Sequence, residues 1–293
     1  MKPGNSFLTL SDLSSIEKNN LRFEDSPSLL FIGDVHLGAY CDQMNLKLEK
    51  DLVDLLSYCE EHQITPVILG DLFDYWMEYP RKNPPLGTEL LNFFSDYHQR
   101  TGHGTLFVTG NHDNWTYGYL NRIGFDVEHE FRIISAEDIS MMVLHGDGLQ
   151  NPAMNLPRPF MHRILRNSYF ITVFQKIFPP RLGWFFMKRF SGISKSRAKT
   201  ATSRKQRDKL DNWAKNTVMS NPLLHAVVYG HHHKPWLWEK QGNICLNCGS
   251  FSTYYSVGLY TNKKFQLVTW LPASKTFEPI QSNPVNTNGK KQF

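Results

Sequence analysis

The sequence predicts an α/β fold, and three observations carry that prediction. Short apolar runs alternate with stretches whose apolar residues recur at helical spacing. Five of those runs end in a glycine beside Asp, Asn or His. The 293-residue chain is also 41% hydrophobic, enough to bury a sizeable core and too much for a disordered or fibrous protein.

Residues 1–27 are polar and aperiodic and read as a loosely ordered tail. Residues 29–32, 67–69, 106–108, 141–144 and 226–229 read as buried strands. Between them, Leu48, Leu52, Leu55, Leu56 and Cys59 repeat at helical spacing, as do Leu90, Leu91 and Phe94. Such alternation implies an α/β sheet with helices on both faces. The expected domain spans 28–270, with a second polar tail at 275–293.

Residues 155–220 break the rhythm. Ile164, Leu165, Phe170, Phe174, Ile177 and Phe178 look helical and are followed by Pro179-Pro180. Leu182, Phe185, Phe186 and Phe190 form a second helical run, and a third, polar and basic, covers 196–218. The segment reads as a helical insertion between two strands, lying over the functional edge of the sheet.

Composition removes several classes of function. No apolar run reaches the roughly 18 residues that cross a bilayer, and residues 1–20 lack the apolar stretch of a secretory signal. A cytoplasmic chain is expected. Four cysteines are too few for a disulfide framework, and Cys245 with Cys248 forms a lone CxxC without the second pair or the spaced histidines that zinc needs. They read as ordinary strand-end cysteines. The net charge of +5 is unevenly spread: residues 151–215 carry fifteen Lys or Arg against Asp208 and Asp211. That asymmetry calls for an anionic partner, whether nucleic acid, an acidic lipid surface or a phosphorylated substrate.

The strand-end clusters carry the chemistry. They are Gly33-Asp34-Val35-His36, Gly70-Asp71, Gly110-Asn111-His112-Asp113, His145-Gly146-Asp147 and Gly230-His231-His232-His233. Ligands collect beyond the carboxyl ends of strands in open α/β sheets, so the five clusters should meet. A single Asp or His at such a place usually caps a turn or satisfies a core hydrogen bond. Buried oxygens and imidazoles converging from five strand ends are costly unless they coordinate cations. Two cations about 3.5–4 Å apart can clamp the attacking and leaving oxygens of a displacement at phosphorus.

With these motifs the chain resembles the calcineurin-like metallophosphoesterase superfamily, whose pattern runs DxH, GD, GNHD or GNHE, H, then GHxH. The resemblance implies a four-layer αββα sandwich of two mixed sheets. It also implies that Asp34, His36, Asp71 and His233 bind one metal. Asp71, Asn111, His145 and His231 would bind the second, with Asp71 bridging. Oxygen and imidazole ligands without thiolates suit Mn²⁺, Fe or Zn²⁺, with Mn²⁺ favoured. His112 should stabilise the transition state or protonate the leaving oxygen, with Asp113 holding its tautomer. His232 reads as a spacer, and Asp147 and Asp74 as supports.

A finer resemblance surrounds the second motif. Gly70-Asp71-Leu72-Phe73-Asp74-Tyr75-Trp76 is similar to the GDLFDFW signature of UDP-2,3-diacylglucosamine diphosphatases, peripheral membrane enzymes of lipid A synthesis. His145-Gly146-Asp147-Gly148-Leu149, Arg163-Ile164-Leu165-Arg166-Asn167 and Ser194-Lys195-Ser196-Arg197 fit that family too. The resemblance implies cleavage of an acylated sugar nucleotide to UMP and an acylated sugar phosphate. It further implies substrate contacts at Ser194 and Arg197, acyl chains under the insertion, and contact of the basic, aromatic insertion with the inner face of the membrane. Two other readings stand beside it. One is a nuclease or broad phosphodiesterase using Lys195, Arg197, Lys199, Arg204, Lys205 and Arg207 on a phosphate backbone. The other is a non-catalytic scaffold that binds through the insertion.

Overall fold

A computed structural model describes residues 20–22, 28–197 and 201–280, with side chains at 28–189, 191 and 204–280. Among the described residues, thirteen strands form two sheets. The seven-stranded sheet runs in the order β13 (Thr276–Pro279), β12 (Lys264–Leu271), β11 (Ser256–Thr261), β2 (Ser28–Ile32), β3 (Ile64–Ile68), β4 (Thr105–Val108), β5 (Phe125–Glu128). The six-stranded sheet runs β1 (Asn20–Arg22), β6 (Phe131–Ala136), β7 (Ile139–Leu144), β8 (Ala226–Tyr229), β10 (Asn243–Asn247), β9 (Trp236–Lys240).

Period-two alternation along the strands builds the layers. Leu29, Phe31, Val67, Leu69, Leu106 and Val108 of the first sheet pack directly on Ile134, Met141, Val143, Ala226, Val228 and Leu246 of the second. The neighbouring residues Leu30, Ile32, Ile68 and Phe107 point the other way. They meet α1 (Asp42–Glu61), α2 (Thr88–Thr101) and the short α3 (Tyr119–Arg122) through Leu48, Leu52, Leu55, Leu90, Phe94 and Leu120. On the far side, Met142, Leu144, Val227 and Tyr229 take α7 (Ala201–Met219) through Leu210, Trp213, Ala214 and Val218. Each fully buried Leu or Phe contributes about 1.5–3 kcal/mol, so the sandwich interior holds the fold together.

This corrects the expectation of one sheet with helices on both faces. Each sheet has a helical face and a sheet face, and that is the four-layer arrangement. Buried runs look alike whether a strand is covered by a helix or by another sheet, so periodicity could not separate them. The edges also differ from expectation. Asn20–Arg22 and Thr276–Pro279 fall in the presumed tails yet pair with β6 and β12. Edge pairing uses main-chain groups and needs little apolar pattern. Residues 1–19, 23–27, 198–200 and 281–293 lie outside the described residues.

Parallel pairing of β2, β3, β4 and β5 brings the carboxyl ends of the first three strand motifs to one edge. Parallel pairing of β7 with β8 does the same in the other sheet. Between those two strands come α4 (Phe160–Leu165), α5 (Ser168–Ile177), α6 (Pro180–Arg197) and α7. The second helical run, expected to stop near Phe190, therefore continues to Arg197.

Helices α4 to α6 form a cap. Its underside is a separate cluster in which Phe170, Ile171, Phe174, Trp184 and Met187 pack on Met77, Tyr79 and Trp115. Among the hydrogen bonds that tie it down are Tyr79 Oη to Phe178 O (2.9 Å), Gln175 Nε2 to Glu78 O (2.6 Å) and Trp184 Nε1 to Met77 O (2.9 Å). Gly183 permits the close approach, because a Cβ there would collide with the Tyr79 hydroxyl. Much of the aromatic surface in the insertion thus docks the cap. Its exposed apolar residues are others, led by Phe160 and Tyr169.

Candidate metal centre

The structure brings all five strand-end clusters to the junction of the two sheets. Asp34 and His36 follow β2, Asp71 follows β3, Asn111 to Asp113 follow β4, His145 follows β7, and His231 to His233 follow β8. The turns are strained as well as short. Asp34, His36, Asp71, His231 and His233 all have positive φ, between 52° and 72°. Each non-glycine residue held there costs of order 1–3 kcal/mol, and such strain gathers at functional sites. Gly110 allows the last close approach, since any Cβ would strike the Asp71 carboxylate.

One half of the site is formed by Asp34, His36, Asp71 and His233, whose ligand atoms all lie within 4.8 Å of one another. His36 Nε2 is 3.2 Å from His233 Nε2, and His233 Nε2 is 3.2 Å from Asp34 Oδ1. The other half is formed by Asp71, Asn111, His145 and His231. His145 Nε2 lies 3.3 Å from Asn111 Oδ1, 3.2 Å from His231 Nδ1 and 3.4 Å from Asp71 Oδ2. Asp71 Oδ2 is also 3.7 Å from His36 Nε2, so one oxygen faces both halves. Its Oδ1 is turned away and accepts the His112 N–H at 2.8 Å.

The surroundings fix which ring atoms face inward. His145 Nδ1 donates to Leu69 O at 2.8 Å, leaving Nε2 for the centre. His36 Nδ1 faces Asp74 Oδ1 at 3.3 Å, again leaving Nε2. Metal-binding imidazoles characteristically hold their second nitrogen this way. Burial lowers the His36 pKa and takes His231 down to about 3, so both rings are neutral. Burial alone would raise Asp34 and Asp71, but His233 beside the first and His145 beside the second outweigh it. Asp34 Oδ1 is fully buried without a hydrogen bond. Buried carboxylates, imidazole nitrogens aimed at one another and an orphaned oxygen fit divalent cations.

His112 lies at the rim, its side chain 12% exposed. Its Nδ1 donates to Asp74 O at 2.8 Å, and its ring stands edge-on to His36. His36, Asp74 and His112 also approach one another closely enough to suggest a cation site. The Nδ1 bond to a carbonyl instead makes that group a support for the two rings.

Asp113 differs from expectation. Both its oxygens turn to main-chain amides, Gly110 N–H at 2.7 Å and Leu72 N–H at 2.8 Å, rather than to the His112 ring. Burial, reinforced by Asp71, raises its pKa to about 7. The group that holds His112 is Asp74, through its carbonyl. Asp147 binds Arg166, with Arg158 and His162 beside it, and these partners went unread in the sequence. Their signal was a run of basic residues just after the His145 motif. His232 is buried near Asp211, and Cys245 and Cys248 are free and buried. Ser194 and Arg197 fall in the last turns of α6, where side chains lie outside the described residues.

The chain is 23% identical over 222 residues to a UDP-2,3-diacylglucosamine hydrolase of Porphyromonas gingivalis, covering 70% of this chain and 82% of that one. Among solved structures, a phosphoesterase from E. coli is 16% identical with a TM-score of 0.37, covering 85% of this chain and 96% of that one. A cold-active protein-tyrosine phosphatase from a psychrophilic Shewanella is 13% identical with a TM-score of 0.41, covering 91% and 83%. A family profile described as calcineurin-like phosphoesterase matches residues 27–235. The chain belongs to the calcineurin-like phosphoesterase family, and it is a phosphoesterase.

Proposed function

We propose that the chain cleaves the pyrophosphate of an acylated sugar nucleotide, UDP-2,3-diacylglucosamine, to UMP and 2,3-diacylglucosamine 1-phosphate. Asp34, His36, Asp71 and His233 hold one divalent cation, and Asp71, Asn111, His145 and His231 hold the other. Cations held there would supply Lewis acidity to the phosphoryl oxygens and activate water near neutral pH. Asp71 spaces the two halves. His112, kept at the rim by the Asp74 carbonyl on its Nδ1, presents Nε2 to the leaving oxygen.

The observation that carries the substrate reading is the surface of α4. An open groove of about 390 Å³ is lined there by Phe160, Arg163, Ile164, Asn167 and Phe170. The same helix carries His162, whose ring centre is 6.5 Å from that of His231. Apolar walls with one arginine suit an acyl chain attached to a phosphorylated head. Across the three cap helices, Phe160 is 72% exposed and Tyr169 77%, and Arg163, Lys176 and Arg181 are exposed as well. Such a face is suited to the surface of an anionic membrane, each Lys or Arg adding about 1 kcal/mol at low salt. No helix among the described residues is long and apolar enough to cross a membrane.

The test compares UMP release from UDP-2,3-diacylglucosamine and from its deacylated counterpart in Mn²⁺. Each buried methylene contributes about 0.8 kcal/mol, so kcat/KM should differ by orders of magnitude. Equal rates on the two compounds, or competition by short DNA, would leave only the coarser phosphoesterase activity.

A further inference from the structure

The cap touches the metal centre through two buried side chains that carry no role in the reading above. Arg166 closes α4, and its side chain is 8% exposed. Its Nη2 donates to Gly110 O at 2.9 Å and to Thr109 O at 3.2 Å, the two carbonyls just before Asn111. The same nitrogen reaches Asp147 Oδ1 at 3.1 Å, two residues after His145. One guanidinium thus clamps the turn that presents Asn111 to the turn that presents His145. Those turns belong to different sheets.

Ser191 does the corresponding work on the other side. It lies on α6, is 4% exposed, and its Oγ donates to Asp74 Oδ2 at 2.7 Å. The opposite oxygen of that carboxylate faces His36 Nδ1 at 3.3 Å. The Asp74 main-chain carbonyl holds His112. A hydroxyl on the cap therefore fixes the carboxylate that orients His36.

We infer that the cap braces the metal centre, with Arg166 and Ser191 as positioning residues for its two halves. The inference rests on the ligand sets proposed above. Arg166 sets the Asn111 and His145 half, and Ser191 sets the His36 half. A planar fork suits the first task, because Nη2 meets the two carbonyls and Asp147 while Nη1 donates to His129 O at 2.9 Å and Thr109 Oγ1 at 3.2 Å. The second task needs only one donor. Undocking the cap would release both, so cap position and cation affinity are linked.

Mn²⁺ is the probe. Binding to the purified full-length parent, Arg166→Gln and Ser191→Ala is measured by calorimetry, with thermal unfolding followed alongside. Loss of a group that orients a ligand typically costs about 10–100-fold in metal affinity. Each variant should weaken one of two binding steps by that order and leave the other near the parent's. Raising Mn²⁺ should restore kcat, which a purely structural lesion would not allow. Ser191→Ala removes one hydroxyl, so it keeps the question open to refutation should Arg166→Gln fold poorly. Arg166→Lys keeps one charged nitrogen for Asp147 but loses the second, which holds His129 O and Thr109 Oγ1, and it should fold without recovering affinity. A parent that binds two ions while Arg166→Gln, Arg166→Lys and Ser191→Ala bind them equally well overturns the brace alone. A parent that takes up no Mn²⁺ overturns the metal centre and the brace together.

Discussion

Asp71 is the residue on which both halves of the centre depend. Its Oδ2 faces His36 and His145, while its Oδ1 is held by the His112 amide. Asp71→Asn should keep the fold, lose tight binding of both cations and lose turnover, which metal analysis of the purified variant checks. His112→Ala should behave differently. Its ring meets the Asp74 carbonyl and lies at the rim, so the loss should fall on kcat by about 10²–10⁴-fold. Metal content should stay near the parent's, and loss of one ion would instead make His112 a ligand. The positions of these residues were legible because each follows a glycine at the end of an apolar run. Which side chain turns toward which ring was not. Asp113 is adjacent to His112 in sequence, but a tight turn sends it back to the Gly110 and Leu72 amides. Asp74, farther away in the chain, supplies the contact.

At the level of elements, the segment Gly70 to Tyr79 has three uses. Asp71 faces the centre, Phe73 and Trp76 fill the core beneath α1 and α2, and Met77, Glu78 and Tyr79 receive the cap. Gly183 of α6 sits against Tyr79 without room for a methyl group. Gly183→Ala should lift the cap at a cost of about 1–3 kcal/mol, the usual range for overpacking. Faster proteolysis within residues 178–205, with the sandwich still folded, is the expected result. Protection equal to the parent's would mean that Tyr79 simply swings aside. Buried central strands and amphipathic helices were readable from periodicity. Edge strands β1 and β13 were not, since main-chain pairing leaves little mark on side-chain pattern. Nor could sequence show that Phe170, Phe174 and Trp184 dock the cap, because a helix buries aromatics equally well against protein or substrate.

For the molecule as a whole, the centre joins two sheets, so cation binding and stability are linked. Ligand at about 100 times its Kd adds about 2.7 kcal/mol, and chelation should lower Tm accordingly. Binding is also linked to pH. Burial would lower the His145 pKa, but Asp71 more than reverses this and lifts it to about 10 in the metal-free chain. Below that value His145 holds a proton that a cation must displace. Apparent affinity should therefore rise with pH, with about one proton released per chain, measurable by calorimetry in buffers of different ionisation enthalpy. Binding indifferent to pH between 6 and 9 would remove His145 from the ligand set. The central claim is that paired cations held by Asp71 drive the hydrolysis. Its most direct test strips the chain with a chelator, restores Mn²⁺ stepwise, and follows a chromogenic phosphodiester alongside the metal count. Turnover should be absent without metal, appear as the second ion binds, and stay absent in Asp71→Asn. Full activity in metal-free protein, or in Asp71→Asn, would contradict it.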